Sequence, residues 1–149
     1  MNSKSLVFLC LFLLQGCGDE STDNESKDTI NLIQKNENIW LTSGIKSYTF
    51  TYFSSPNDCP TADPYPPVEI TVINGSIDSI YVVEFDEFQE VENTHYLTVD
   101  QIFESMLENG NSIQGVPSFD ETWGYPVSYS IDLSSAECDG ISVNISSFI

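Results

Sequence analysis

Four cysteines, one histidine and 23 carboxylates are the groups of this chain with chemistry to offer, set against four lysines and no arginine. His95 is the sole imidazole. A catalytic triad would need it beside an activated nucleophile, and the sequence holds no G-x-S-x-G elbow or comparable turn. A zinc site would have to combine His95 with carboxylates alone, an unusual donor set for structural zinc. It reads instead as a loop histidine placed before the helix cap at Thr98. The densest acidic stretch runs from Glu84 to Glu92, with Glu84, Asp86, Glu87, Glu90 and Glu92 interspersed by Phe85, Phe88 and Val91. Glu84, Asp86, Glu90 and Glu92 have even spacing and would share one face of a strand. Ca²⁺ takes six to eight oxygen ligands, usually from a D-x-D-x-D-G type loop. No such loop is present, and Asp139-Gly140 is an isolated pair, so a solvated acidic face is the reading preferred. No catalytic residue, cofactor or metal is expected.

The cysteines divide by position. Lys4 and the apolar run Leu6–Leu14 form a short charged-then-hydrophobic leader. Nine residues make about 14 Å of helix, under half a hydrocarbon core, so this is a signal-peptide pattern and not a membrane span. Leu14-Gln15-Gly16-Cys17 follows at once and resembles a bacterial lipobox. The resemblance implies cleavage before Cys17 and lipid on its sulfur and new amino terminus. Two or more acyl chains hold a protein on a bilayer stably, whereas one does so only marginally. Gly18 after the anchor, in place of Asp, resembles an outer-membrane sorting signal. Cys10 leaves with the leader, which makes Cys59 and Cys138 a disulfide in an oxidising compartment. A redox pair would want C-x-x-C or a neighbouring cation, and Asp58 and Asp139 flank these cysteines instead.

Charge narrows the partners. The formal net charge is −19, and loss of residues 1–16 with Lys4 takes it to −20. Nucleic acid is excluded, since a phosphate backbone needs a basic face to release its counterions. The membrane contact expected is the lipid anchor alone, because anionic headgroups repel such a surface. A protein partner is expected to be basic, or to make an apolar contact ringed by acids.

These groups must be positioned by one domain, for which 149 residues at 40% hydrophobic content suffice. Residues 1–16 read as the leader, 17–27 as an acidic tether and 28–149 as the domain. Ile30, Ile33, Trp40 and Leu41 fall near one helical face, stopped by Gly44, with Trp40 a core plug. In Ser47–Phe53 the period drops to two, with aromatics Tyr48, Phe50 and Tyr52 facing a helix. A Pro-rich loop carrying Cys59 follows. Val68–Val72 and Ile77–Phe85 are then joined by the hairpin signal Asn74-Gly75. Thr98 and Gln101 form a capping box before the stripe Val99, Ile102, Phe103, Met106 and Leu107, which ends at Gly110. Strands are expected at 113–119, 127–133 and 141–148, with a turn at 121–124. The class is α+β: an antiparallel sheet of about six strands in helix-strands-helix-strands order, with two helices on one face.

In order, Trp40, Ile45, Tyr48, Phe50 and Tyr52, then Val68-x-Ile70-x-Val72-x-Asn74-Gly75, then Thr98-Val99-Asp100-x-Ile102-Phe103, then Gly124-Tyr125-Pro126 and Ile131-Asp132 resemble the bacterial secreted and lipoprotein family called domain of unknown function 6174. The resemblance covers about residues 39–148. It implies an exported single domain with no assigned activity. The C-x-C pair that many members carry after the first strand is here a lone Cys59 in a longer loop. The expectation is a membrane-anchored envelope lipoprotein acting as a non-catalytic binding or envelope-interaction module. The alternatives are a protein inhibitor or periplasmic assembly factor, and a metal-dependent hydrolase using the carboxylate cluster and His95.

Overall fold

The computed structural model describes residues 20–92 and 94–149, and the side chains from residue 25 on. The leader, the lipobox-like run and Cys17 lie outside the described residues. Helix α1 spans Glu20–Ser43 and α2 spans Val99–Glu108. The strands are β1 (Tyr48–Pro56), β2 (Val68–Ile73), β3 (Ser76–Val82), β4 (Glu87–Gln89), β5 (Ser118–Phe119), β6 (Pro126–Asp132) and β7 (Gly140–Ser146). They form one antiparallel seven-stranded sheet in the order β4-β3-β2-β1-β7-β6-β5. The class is therefore α+β as expected, with one more strand than the sequence suggested.

Two meanders make this sheet. β1 to β4 run outward in one direction and β7 to β5 in the other, so the first strand of the chain lies beside the last. That seam pairs Thr51 with Ser146 through Pro56 with Ile141. The β2–β3 and β3–β4 turns are tight, whereas β1 reaches β2 through the loop 57–67 and β6 reaches β7 through the loop 133–139. Asn74 and Gly75 both have positive φ, 53° and 79°, as a type I′ hairpin demands. A bulge lies opposite Thr71 and Val72.

Alternation decides which face is covered. Tyr48, Phe50, Val68, Ile70, Val72, Ile80, Val82, Tyr129, Ile131, Val143 and Ile145 point under the helices and are buried. The opposite face carries hydroxyls that bond across strands, Thr49 with Thr71, Ser118 with Ser128 and Ser130 with Ser142. α2 is capped as its sequence requires: Gln101 N–H donates to the Thr98 hydroxyl and Thr98 N–H donates to the Gln101 side chain. Its stripe Val99, Ile102, Phe103 and Met106 has no exposed surface.

α1 departs from expectation in two ways. It begins at Glu20, within the segment read as a tether, and so lengthens the helix expected from Asp28. Its buried line is Thr29, Ile33, Asn36 and Trp40, while Leu41 stays 53% exposed. Asn36 tolerates burial because its amide donates to the Leu32 carbonyl one turn back. Trp40 is the plug foreseen. Its ring meets Tyr48 and Phe148 edge-on, and its Nε1–H donates to Asp100 at 2.8 Å. Asp100 also faces Lys46 at 3.6 Å, so one carboxylate joins both helices to the loop before β1.

Candidate functional site

A broad, open groove beside Trp123 is the candidate binding surface among the described residues. It is open to solvent and spans about 580 Å³ between the C-terminal half of α1 and the β5–β6 turn, lined by Asn38, Ile39, Thr42, Ser43, Ile45, Thr122 and Trp123. That volume falls in the range of about 300–1,000 Å³ typical of ligand pockets. None of the lining residues is charged, in a chain with 23 acids.

The turn that builds the groove is fixed in three ways. The Asp120 carboxylate accepts from the N–H groups of Thr122 and Trp123, at 2.9 and 2.7 Å. Gly124 has φ +76°, and a Cβ there would meet the Asn36 carbonyl at 2.5 Å, so glycine lets the turn lie against α1. Trp123 packs at 5.8 Å from Phe148, which in turn stacks on Tyr125 at 4.3 Å. The indole is held from behind and remains 40% exposed toward the groove. The sequence reading passed over Trp123. Its signal was a large aromatic in a turn with no strand periodicity to bury it.

Cys59 and Cys138 are joined by a disulfide, as expected, with Cα atoms 4.5 Å apart. It closes the open end of the β1–β7 seam. Around it the Asp58 carboxylate accepts from the N–H groups of Asp139 and Gly140, at 3.1 and 3.0 Å. Burial pushes the Asp58 pKa up, but these backbone donors outweigh it and hold the group below its ordinary value. A Cβ on Gly140 would meet the Asn57 side-chain oxygen, which would have to move aside, so glycine here lets Asn57 and Asp58 lie close against the start of β7.

The same corner gathers the group best able to hold a cation. Asp58, Asp132 and Asp139 each offer an oxygen within 4.8 Å of the others. Oδ1 of Asp132 and Oδ1 of Asp139 accept no hydrogen bond. Oxygen donors of this kind suit Ca²⁺ or Mg²⁺ better than zinc, and one oxygen from each of the three carboxylates supplies at most half of a Ca²⁺ shell. The stretch weighed in the sequence behaves otherwise. Glu84 and Asp86 lie in the turn after β3, and Glu87 opens β4, so Glu84, Asp86, Glu90 and Glu92 do not line one strand. His95 is exposed and lies against Tyr96 with ring centroids 4.2 Å apart, outside any converging acid group among the described residues. Tyr48, Phe50 and Tyr52 face the helices and not a ligand groove. Tyr48 and Tyr52 are pushed up to about 12, each chiefly by burial.

The fold and this site define a small α+β domain with a preformed uncharged groove at one end and a disulfide-closed seam at the other. The chain belongs to the family of unknown function DUF6174, whose sequence model matches residues 32–149. The match reaches back into α1, beyond the start at residue 39 suggested by the motifs. No curated protein and no solved structure gives a significant match.

Proposed function

We propose that this protein is a non-catalytic binding module of the bacterial cell envelope, held to a membrane by lipid on Cys17 and engaging its ligand in the groove beside Trp123. The observation that carries the reading is the groove itself. Its turn is tied by the Asp120 hydrogen bonds and by the packing of Trp123 on Phe148, contacts that reduce the ordering entropy opposing binding. It pairs one half-exposed indole with apolar Ile39 and Ile45, and its rim of Asn38, Thr42, Ser43 and Thr122 offers hydrogen bonds without charge. An uncharged surface suits such a lining, because the acidic remainder of the domain repels anions before they reach it. The leader and lipobox-like run support the membrane anchor, and Gly18 supports the outer membrane.

Two measurements test this. Mass spectrometry of the wild-type protein from membranes should find acyl chains on Cys17, and Cys17→Ala should be unmodified. A photo-crosslinking side chain placed at Thr122 in living cells should capture one discrete envelope component. The same group at Glu137, exposed in the loop beside the disulfide at the opposite end of the sheet, should not. Equal labelling at both positions would refute the groove as the binding surface.

A further inference from the structure

The β3–β4 hairpin exposes apolar rings where a sheet edge needs none. Every residue from Val83 to Glu90 is exposed. Val83 is 50%, Phe85 59% and Phe88 72% accessible, and the last is the most exposed aromatic side chain described. Clustered apolar surface rimmed by polar groups marks an interaction site, whereas single exposed hydrophobics do not. Protection of an edge strand accounts for the shortness of β4 and for its acids. It does not account for an exposed phenyl ring in the turn and a second in β4.

The hairpin is built, not loose. Tyr81 pairs with Phe88 across the strands, with ring centroids 5.2 Å apart. The Tyr81 hydroxyl donates to Asp86, which holds φ +53° at the turn. Phe85 N–H donates to the Val82 carbonyl at 3.2 Å. Phe88 is thus fixed in an exposed position on the face of the sheet away from the helices, next to the free edge of β4.

Charge decides what fits there. Glu84, Asp86, Glu87, Glu90 and Glu92 flank the rings along the chain, and residues 83–92 contain no basic residue. An apolar partner of neutral or negative surface would strip water from these carboxylates without return. We propose that the Val83–Glu90 hairpin is a docking surface for a cationic amphipathic segment of another protein, its apolar residues on Phe85 and Phe88 and its lysines or arginines on the flanking acids. The proposal does not rest on the groove beside Trp123, which lies on other elements.

The test uses the full-length chain in nonionic detergent and a synthetic amphipathic peptide of lysine and leucine. Two control peptides of equal length replace leucine by serine, keeping the charge, or lysine by serine, keeping the apolar face. The lysine–leucine peptide should bind and shift the amide resonances of residues 83–90. Its affinity should fall by roughly tenfold between 0.1 M and 1 M salt, as the Debye length shrinks from about 10 Å to about 3 Å. Phe85→Ser/Phe88→Ser should weaken binding by about tenfold or more with Tm unchanged, as expected for exposed side chains. Glu84→Gln/Glu87→Gln/Glu90→Gln should weaken it comparably. Glu104→Gln/Glu108→Gln, exposed on α2, should leave the affinity unaltered. Absence of binding, equal binding by either control peptide, shifts confined to other residues, or indifference to the Phe85/Phe88 pair would each overturn the proposal.

Discussion

Removing the disulfide by Cys59→Ser/Cys138→Ser perturbs the unfolded chain more than the folded one. The cross-link spans a sequence separation of 79 residues. Loop-closure entropy for that span gives about 4.5 kcal/mol of stabilisation, which for a domain of this size corresponds to a fall in Tm of about 18 °C. The native seam survives the change, because Asn57 N–H donates to the Gly140 carbonyl at 3.3 Å and Asp58 holds Asp139 and Gly140. The six-residue ladder between β1 and β7 also remains. The serine variant should therefore keep the wild-type circular dichroism and lose stability alone. Urea unfolding followed by tryptophan fluorescence, with oxidised and reduced wild type alongside, measures it. Reduced wild type should match the variant. A loss under about 1 kcal/mol would refute the reasoning, showing that the unfolded chain is already compact enough to keep the two cysteines together.

Three further outcomes follow from named contacts. Tyr48→Phe removes the hydroxyl that accepts from Val99 N–H at 2.9 Å and leaves that donor buried, so chemical denaturation should show a loss of about 1–3 kcal/mol. Alkaline titration tests Tyr52, which titrates near 12 when folded and near its ordinary 10.0 when unfolded. Because the folded pKa is the higher, its contribution is intact below pH 10 and lost as pH rises toward 12. Two pKa units amount to about 2.7 kcal/mol, which Tyr52→Phe should abolish from the stability–pH profile. Gly124→Ala meets both a left-handed backbone and the Asn36 carbonyl, and calorimetry should show a loss above about 1 kcal/mol, with Trp123 fluorescence altered.

What the sequence disclosed were features whose cause is local. α2 was legible because its capping box and apolar stripe lie within ten residues, and the Asn74-Gly75 turn because two positive φ values select those residue types. β4 was hidden, since Glu87-Phe88-Gln89 is too short to show a period, has no β-branched residue and pairs through the turn at Asp86 that folds it onto Tyr81. On α1 the pattern named Leu41 as buried, whereas Asn36 takes that place with its amide satisfied by its own helix. The carboxylates of Asp58, Asp132 and Asp139 meet through the adjacency of β1, β7 and β6, and no spacing along the chain encodes that order. The groove beside Trp123 likewise depends on how a glycine turn settles on a distant helix.

The meeting of the first and last strands bears on how many copies of the chain share one fold. Each meander pairs strands consecutive in the chain, so its contacts are more local than the β1–β7 seam that ties the two together. Until the seam closes, β1 and β7 both present unpaired edges, and the β1 of one molecule is as good a partner for the β7 of another as for its own. Exchange of halves between two copies would reproduce every hydrogen bond of the monomer, the circumstance in which domain swapping costs least. A covalent bond between Cys59 and Cys138 of the same chain forbids that outcome whatever the concentration. Oxidation therefore selects the closed monomer, and reduction opens a route to an intertwined dimer with the same sheet.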